Sequence, residues 1–229
     1  MSVFVRNKYD FSQYMKVYFH FNEKPLLIFR MPVLTKVLYL TLNVNIHLLV
    51  FPPKEKINGH KGANSYIRLG ESMGVNKGYK TGIRDNWFVI PSIKLSDALF
   101  ISRNNLYPRL ILNEAKAYAT DTMHRVFMKK DTIKNTFIAS FYNSLSLAFS
   151  KIVGRSYGGG VLELMPSKAE KILLPYQTEN AELLATIDKM MRDKKSIDEI
   201  LKITNKQILK DGYGFTDKEI KIADSVVFI

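Results

Sequence analysis

The chain has 229 residues, of which 46% are hydrophobic, and its 34 basic and 21 acidic side chains give a net charge of +13. This length allows one large or two small domains, and the apolar fraction suffices for a core without covalent cross-links. The chain contains no cysteine, which excludes disulfides, thiolate metal sites and cysteine nucleophiles and fits a reducing, cytoplasmic environment.

The basic excess is confined to the first two thirds of the chain. Residues 1–65 carry 9 basic and 3 acidic side chains, residues 66–160 carry 14 and 6, and residues 161–229 carry 11 and 12. This asymmetry indicates a surface that faces a polyanion, although a basic protein without such a partner is an equal alternative on charge alone. The scattered histidines show no spacing typical of metal ligands, so no metal site is predicted.

Residues 1–60 are predicted to be a strand-rich segment, and no function follows from their sequence. Apolar and polar residues alternate from Leu40 to Val50, which is the pattern of a strand with one buried face. Prolines and charged side chains interrupt the apolar residues 26–51, so we expect neither a membrane-spanning helix nor a signal peptide. Pro52-Pro53 and the polar stretch Lys54–Asn64 predict a linker or a long loop, with a domain boundary near residue 60.

The next elements alternate between short helices and short strands. A helix is predicted over Tyr66–Met73, and a strand over Trp87–Ile90. Further strands are predicted at Ala98–Ile101, at the apolar run Arg109–Leu112 and at Thr122–Met128.

One long helix is predicted over Phe137–Ile152. Its apolar face has spacings of four, four and three residues and consists of Phe141, Leu145, Phe149 and Ile152. A stripe of small polar side chains on another face consists of Asn143, Ser146 and Ser150. Gly154 is expected to end the helix in the left-handed conformation. An exposed turn over Arg155–Gly160 then leads into a strand over Val161–Met165.

Residues 166–229 are predicted to form a small helical region. Hydroxyl residues at Ser167, Ser196 and Thr216 each precede a glutamate by three positions, which is the pattern of a capping box at a helix start. Two apolar stripes support the helices: Leu183, Leu184, Ile187, Met190 and Met191, then Ile197, Ile200, Leu201 and Ile208. These stripes favour core packing over any cofactor role for the methionines.

Common catalytic motifs are absent from the sequence. It contains no GxSxG, HExxH or GxxxxGK[ST] pattern, and no GxGxxG follows a strand. Gly158-Gly159-Gly160 comes nearest to a phosphate cradle, because backbone amides in a glycine turn can approach phosphate oxygens. A tight turn between a helix and a strand explains the same residues at least as well.

Several short motifs between residues 66 and 229 together suggest a family. They are Leu69-Gly70-Glu71, Gly78-Tyr79-Lys80, Arg84, Trp87, Pro108-Arg109, Leu112-Asn113, Thr120-Asp121-Thr122, His124-Arg125-Val126, Asn143-Ser144-Leu145 and Gly154-Arg155-Ser156-Tyr157-Gly158-Gly159-Gly160. In order and spacing this region resembles the C-terminal part of adenine-N6-specific DNA methyltransferases of bacterial restriction–modification systems. The resemblance implies a target-recognition region that reads the sequence of double-stranded DNA.

Two features of that enzyme family are missing here. The family carries an [N/D]PP[Y/F] motif that holds the flipped adenine and a glycine-containing strand–turn that binds S-adenosylmethionine. The pair of prolines in this chain lies in Phe51-Pro52-Pro53-Lys54, without the flanking groups that the adenine needs. We therefore expect no catalytic residue and no cofactor in this chain, with S-adenosylmethionine bound by the parent enzyme, and we expect a truncated, split or separately encoded recognition module.

The resemblance and the basic middle segment together give a set of candidate DNA-binding residues. Arginine can pair with guanine or clamp a phosphate, lysine suits phosphate contacts, and amides or hydroxyls can reach base edges. The candidates are Arg84, Asn113, Thr120, Asp121, His124, Arg125, Lys129, Lys130, Lys134, Asn143, Ser144, Arg155, Tyr157, Gly158, Gly159 and Gly160. Trp87 could stack on a base, but its apolar neighbours favour a place in the core.

The predicted architecture is α+β, a mixed strand and helix recognition domain followed by a small helical C-terminal region. The predicted parts are residues 1–60, 61–165 and 166–229. The principal prediction is a sequence-specific DNA-recognition module. One alternative is a specificity subunit that acts with a separate catalytic methyltransferase chain. The other is a basic RNA-binding or scaffold protein, which the burial of aromatics in apolar runs disfavours.

Overall fold

The computed structural model describes residues 26–27, 47–48, 50–57, 59–91, 93–119 and 123–227. The chain divides into two compact units. The first comprises Met1–Ile28 and Val44–Lys94, and the second comprises Phe29–Asn43 and Leu95–Ile229. Of the strand predicted over residues 40–50, only residues 47–48 and 50 are among the described residues.

The first unit packs a small aromatic core beneath a helix. Strands β1 (Leu26–Leu27) and β2 (His47–Leu48) pair antiparallel. Helix α1 (Lys61–Ser72) and helix α2 (Tyr79–Gly82) follow, with 3-10 turns at Lys54–Lys56 and Val75–Lys77. The core consists of Phe51, Ile57, Ala63, Ile67 and Phe88. Since Ile57 is fully buried, the stretch predicted to be a linker is part of this unit.

The strand predicted over Trp87–Ile90 is wrong, because these residues form turns and irregular structure. Trp87 instead lies against α1, where a Cβ on Gly70 would overlap its ring. Its indole also packs edge-on against Phe88, with ring centroids 5.9 Å apart. The apolar run is thus explained by aromatic packing rather than by strand pairing.

The second unit contains two antiparallel sheets of three strands each in the described part of the chain. The first has the order β5 (Leu110–Leu112), β3 (Ala98–Ile101), β6 (Met123–Val126), and its strands confirm three sequence predictions. The second has the order β4 (Arg103–Asn104), β8 (Val161–Glu163), β7 (Arg155–Tyr157). Ser102 alone separates β3 from β4, and its carbonyl accepts a bond from Leu164 N at 2.7 Å. A single chain segment therefore contributes to both sheets.

The long helix predicted over residues 137–152 is two helices, α3 (Lys134–Ala139) and α4 (Ser144–Val153). Asn143 lies at the break and begins α4, because its side-chain oxygen accepts a hydrogen bond from Ser146 N at 2.9 Å. The predicted apolar face is only partly buried. Phe141 is buried, Leu145 and Phe149 are half-buried, and Ile152 is 65% exposed, whereas the predicted stripe of small polar side chains is fully buried.

Gly154 ends α4 for a different reason from the one predicted. Its φ of −73° and ψ of 169° are extended values, not left-handed ones. A Cβ at this position would lie 2.5 Å from the Leu162 side chain and 2.7 Å from the Ser150 carbonyl oxygen. Glycine is thus required by the close approach of β8 to the helix end.

The C-terminal helices pack on the same hydrophobic core as the first sheet. They are α5 (Pro166–Ala169), α6 (Leu183–Arg192), α7 (Ile197–Thr204), a π-helix (Asn205–Gly212) and α8 (Asp217–Val227). Members of the core from sheet and helices include Phe100, Leu112, Ile138, Leu184, Leu201 and Val227. Together the helices and antiparallel sheets confirm the α+β class.

Two of the three predicted capping boxes are present. Ser196 Oγ accepts from Glu199 N, and the Glu199 carboxylate accepts from Ser196 N at 2.9 Å. Thr216 and Glu219 form the same reciprocal pair at the start of α8. The box predicted at Ser167 is wrong, because α5 begins at Pro166 after Met165 and has no side-chain cap.

Candidate nucleic-acid interface

A row of charged side chains crosses the sheet β4–β8–β7. The strand register pairs Arg103 with Glu163, and Glu163 with Arg155. Directly paired residues project to the same face of a sheet, so the glutamate lies between two arginines on this face. Tyr157 is two positions from Arg155 on β7 and shares the face. Leu162, on the opposite face, is buried, so the charged face is the one turned to solvent.

The Glu163 carboxylate contacts two of its neighbours directly. Arg103 Nε donates to Glu163 Oε1 at 2.7 Å, and the Tyr157 hydroxyl donates to Oε2 at 2.7 Å. The Arg155 guanidinium lies over the Tyr157 ring, 5.1 Å from its centroid. The hydrogen bonds from Tyr157 and Arg103 hold the pKa of Glu163 below its usual value, and the bond to Glu163 raises the pKa of Tyr157. Glu163 therefore remains ionised at neutral pH.

The glycine turn joins β7 to β8 at one end of this sheet. Gly158–Gly160 forms a 3-10 turn, and all three residues are exposed. Gly159 and Gly160 have φ values of 79° and 76°, in the left-handed region that glycine adopts without steric cost. Apart from atoms of the neighbouring residues in the chain, no atom lies within 4 Å of a Cβ built on any of the three. The turn thus offers open space in which a ligand could reach the backbone.

A second basic segment follows β6 in the same unit. Arg125 on β6 and Lys129 and Lys130 in the next loop are exposed. The loop is fixed at Asp97, whose carboxylate accepts from Met128 N at 2.9 Å and forms an ion pair with Lys134. These contacts, led by the bond from Lys134, lower the pKa of Asp97. Lys134 is thus committed to an ion pair that orders the loop.

Several predicted base-reading residues have buried structural positions instead. Asn113 donates to Ser96 O and Ala117 O and accepts from Ala117 N, which closes the turn after β5. Asn143 and Ser144 are both fully buried. Their placement favours a role in folding over contact with base edges.

His124 and Arg84 are half-buried and have intramolecular partners. His124 stacks on Phe100, with ring centroids 6.2 Å apart, and its Nε2 lies 2.6 Å from Leu164 O. Arg84, in the first unit, donates from Nη1 to Val89 O at 3.3 Å. Thr120 and Asp121 lie outside the described residues.

Comparison with known proteins supplies the family. Residues 39–209 match the family model described as the C-terminal domain of type II methyltransferase M.Eco57I. The chain belongs to this family. Over 166 residues it is 28% identical to type II methyltransferase M.AccI of Acinetobacter calcoaceticus, an alignment that covers 67% of this chain and 31% of that protein. The chain thus spans about a third of that relative, and the resemblance to the C-terminal region of a restriction–modification methyltransferase is confirmed.

Two residues of the charged face, Arg103 and Glu163, were not among the residues predicted from the sequence of this M.Eco57I-type domain. Each is a single charged residue in a short strand, and they lie 60 positions apart. The available signal was weak, namely one charge shortly after the strand predicted over Ala98–Ile101 and one charge within the strand predicted over Val161–Met165. Only the pairing of β4 with β8 shows that the two residues meet.

Two further structural features concern metal ions and membranes. Among the described residues, no cluster of histidine, aspartate and glutamate side chains could hold a metal ion. Within the same residues, no helix has both the length and the apolar composition needed to cross a bilayer.

Proposed function

We propose that this chain recognises the sequence of double-stranded DNA for a type II methyltransferase. The observation that carries the proposal is the exposed face of β4–β8–β7, on which Arg103 and Arg155 flank an ionised Glu163 beside an open glycine turn. A β-ribbon fits the major groove of B-DNA, where arginine can donate to guanine O6 and N7. The same side chains can also clamp phosphates.

The distribution of charge supports the proposal. The net charge of +8 on residues 66–160, which follows from 14 basic and 6 acidic side chains, contrasts with −1 on residues 161–229. Arg125, Lys129 and Lys130 extend the exposed basic surface of the second unit. Basic residues of this kind give the salt-dependent part of DNA affinity, because each phosphate contact releases counterions.

We further propose that this chain does not transfer methyl groups by itself. It lacks the [N/D]PP[Y/F] motif and the glycine-containing turn expected for S-adenosylmethionine. Adenine would then be the target base of the parent enzyme, as the family resemblance implies, and a separate catalytic methyltransferase chain would be the partner. Purified chain should transfer no labelled methyl group to DNA and give no heat of binding with S-adenosylmethionine. Clear binding would refute this part of the proposal.

An RNA-binding or scaffold function has less support. Modules that bind single-stranded RNA present clustered aromatic side chains on an exposed sheet. On the described face of β4–β8–β7 the aromatic side chain is Tyr157, which is 43% exposed and bonded to Glu163. We therefore retain duplex DNA as the proposed ligand.

Salt titrations on duplexes of preferred and random sequence test the proposed DNA binding. The preferred sequence is obtained by selection from a randomised pool. Arg155→Ala should weaken binding to both duplexes about equally and reduce the salt slope by about one phosphate. Arg125→Ala should cost about 1–3 kcal/mol on the preferred duplex and much less on the random one, if Arg125 reads a guanine.

The control for these titrations is Lys221→Ala, which removes an exposed positive charge from α8 in the acidic third of the chain. It should leave both affinities unchanged. Equal binding of the wild-type chain to both duplexes at every salt concentration would overturn sequence recognition. Unchanged affinity in both arginine variants, with the fold intact, would show that the DNA-binding surface lies elsewhere.

A further inference from the structure

The Glu163 carboxylate bonds to side chains on both neighbouring strands of the exposed face of β4–β8–β7. Glu163 accepts from Arg103 through one oxygen and from Tyr157 through the other. Its side chain is 12% exposed, whereas that of Arg103 is 70% exposed. The glutamate is therefore recessed beneath the groups that it orders.

The ion pair leaves the ligand-binding end of Arg103 available. Glu163 engages the Nε atom of the guanidinium, at 2.7 Å. A guanidinium carries five N–H donors in a fixed plane, so the four on the terminal nitrogens still project beyond the carboxylate. Two terminal donors side by side match a pair of acceptors, such as guanine O6 and N7 or two phosphate oxygens.

Glu163 acts on Arg155 indirectly, through Tyr157. The hydroxyl bond to Glu163 fixes the Tyr157 ring, and the Arg155 guanidinium rests 5.1 Å above that ring. A cation over an aromatic face is attracted by the ring quadrupole while its edge remains able to donate. Since neighbouring strands are about 4.8 Å apart, the backbones of the two arginines are separated by about 10 Å.

We infer that Glu163 is a positioning residue that holds Arg103 and Arg155 ready to bind paired acceptors on double-stranded DNA, which makes Arg103 an additional DNA contact. The inference rests on the proposed DNA-binding function. Fixing an arginine before binding removes the entropy cost of ordering it in the complex. Glu163 therefore strengthens DNA binding by fixing the positions of the two arginines, although its own negative charge repels the phosphates.

The direction in which a substitution of Glu163 changes DNA affinity distinguishes the effect of its negative charge from its effect on the position of the arginines. If Glu163 contributed only its negative charge, Glu163→Ala would strengthen binding to any duplex, because like charge repels the phosphates. If it positions the arginines, the same change weakens binding by about twofold to tenfold for each arginine released. Glu163→Gln removes the same charge but keeps one acceptor oxygen, so its affinity should lie between those of wild type and Glu163→Ala.

The experiment measures fluorescence anisotropy on random and preferred duplexes at several salt concentrations. The charge-matched control is Glu170→Ala, which removes an exposed carboxylate seven residues away and should strengthen binding slightly. In a chain that already carries Arg103→Ala and Arg155→Ala, adding Glu163→Ala should no longer weaken binding. A greater loss on the preferred duplex identifies guanine as the acceptor, whereas equal losses with a smaller salt slope identify phosphates.

A measurement on the free protein distinguishes failure of this inference from failure of the DNA-binding proposal. The Arg103 Nε–H resonance should be protected from solvent exchange in wild type and lose that protection in Glu163→Ala, while the urea midpoint identifies any unfolded variant. DNA binding that tightens in Glu163→Ala, or an unprotected wild-type resonance, overturns the positioning role and leaves DNA binding intact. A protected resonance in a wild-type chain that binds no duplex overturns the DNA-binding proposal, and the inference with it.

Discussion

Replacing Asn143 with alanine should destabilise the second unit rather than abolish DNA contacts. The side chain is fully buried at the start of α4 and makes three hydrogen bonds. Its oxygen accepts from Ser146 N at 2.9 Å, and its amide donates to Ser140 O at 2.6 Å and to Ser146 Oγ at 3.1 Å. Alanine leaves all three partners without this side chain.

The expected loss in free energy of unfolding has two sources, the missing N-cap and the buried groups that lose their hydrogen-bond partner. Loss of an N-cap costs about 0.5–2 kcal/mol. A buried group left without a partner adds about 1–3 kcal/mol. Because the Ser146 amide belongs to both effects, we expect Asn143→Ala to lower the free energy of unfolding by about 2–4 kcal/mol.

Urea unfolding followed by far-UV circular dichroism measures this loss, since the helices from α3 to α8 lie in the second unit. The control is Asn105→Ala, whose exposed side chain should change stability by less than about 0.5 kcal/mol. DNA affinity per folded Asn143→Ala molecule should match wild type. A loss of affinity without a loss of stability would refute the structural role and restore Asn143 as a base-reading residue.

The following substitutions test the fold of the second unit. Tyr142→Phe should cost about 1–3 kcal/mol by urea unfolding, because the buried hydroxyl satisfies both a backbone N–H and a carbonyl of β5. Gly154→Ala should cost about 1–3 kcal/mol in the same assay and displace β7, since its Cβ would overlap Leu162. Ser196→Ala should cost about 0.5–2 kcal/mol and leave DNA affinity unchanged. Because the bonds from Lys195 and then Ser196 lower the folded-state pKa of Glu199, its contribution is complete above the unfolded-state pKa and lost as pH falls through the folded-state value. The stability difference between wild type and Glu199→Gln should therefore shrink below about pH 4.5; a constant difference down to pH 3 would contradict this account.

Elements with a strong local signal were predictable from the sequence. Strands β3 and β5 are short apolar runs bounded by polar residues and proline. Both form as predicted, and both are buried. The capping boxes at Ser196 and Thr216 depend on residues three positions apart, so the sequence contains the whole interaction. The α+β class follows from such elements without any knowledge of their packing.

Features that a local pattern explains in two ways, or that depend on distant contacts, were not predictable. Asn143 was assigned to DNA because an amide suits a base edge, but the same donor and acceptor groups suit a helix N-cap. The apolar periodicity of residues 137–152 continues across the break between α3 and α4, so it indicated one helix. The pairing of Arg103 with Glu163 needs a strand alignment that no local pattern specifies.

The two arginines of the charged face differ in how closely their strands are linked to the hydrophobic core, because β4 follows β3 directly whereas β7 does not. Arg103 stands one residue beyond Ser102, on the segment that enters the hydrophobic core at Phe100. Arg155 stands on an edge strand joined to β8 by three exposed glycines. Residues 155–160 could therefore be replaced or lengthened without disturbing the core. A library of such hairpins on an otherwise constant chain is the economical starting point for redirecting the domain to new DNA targets.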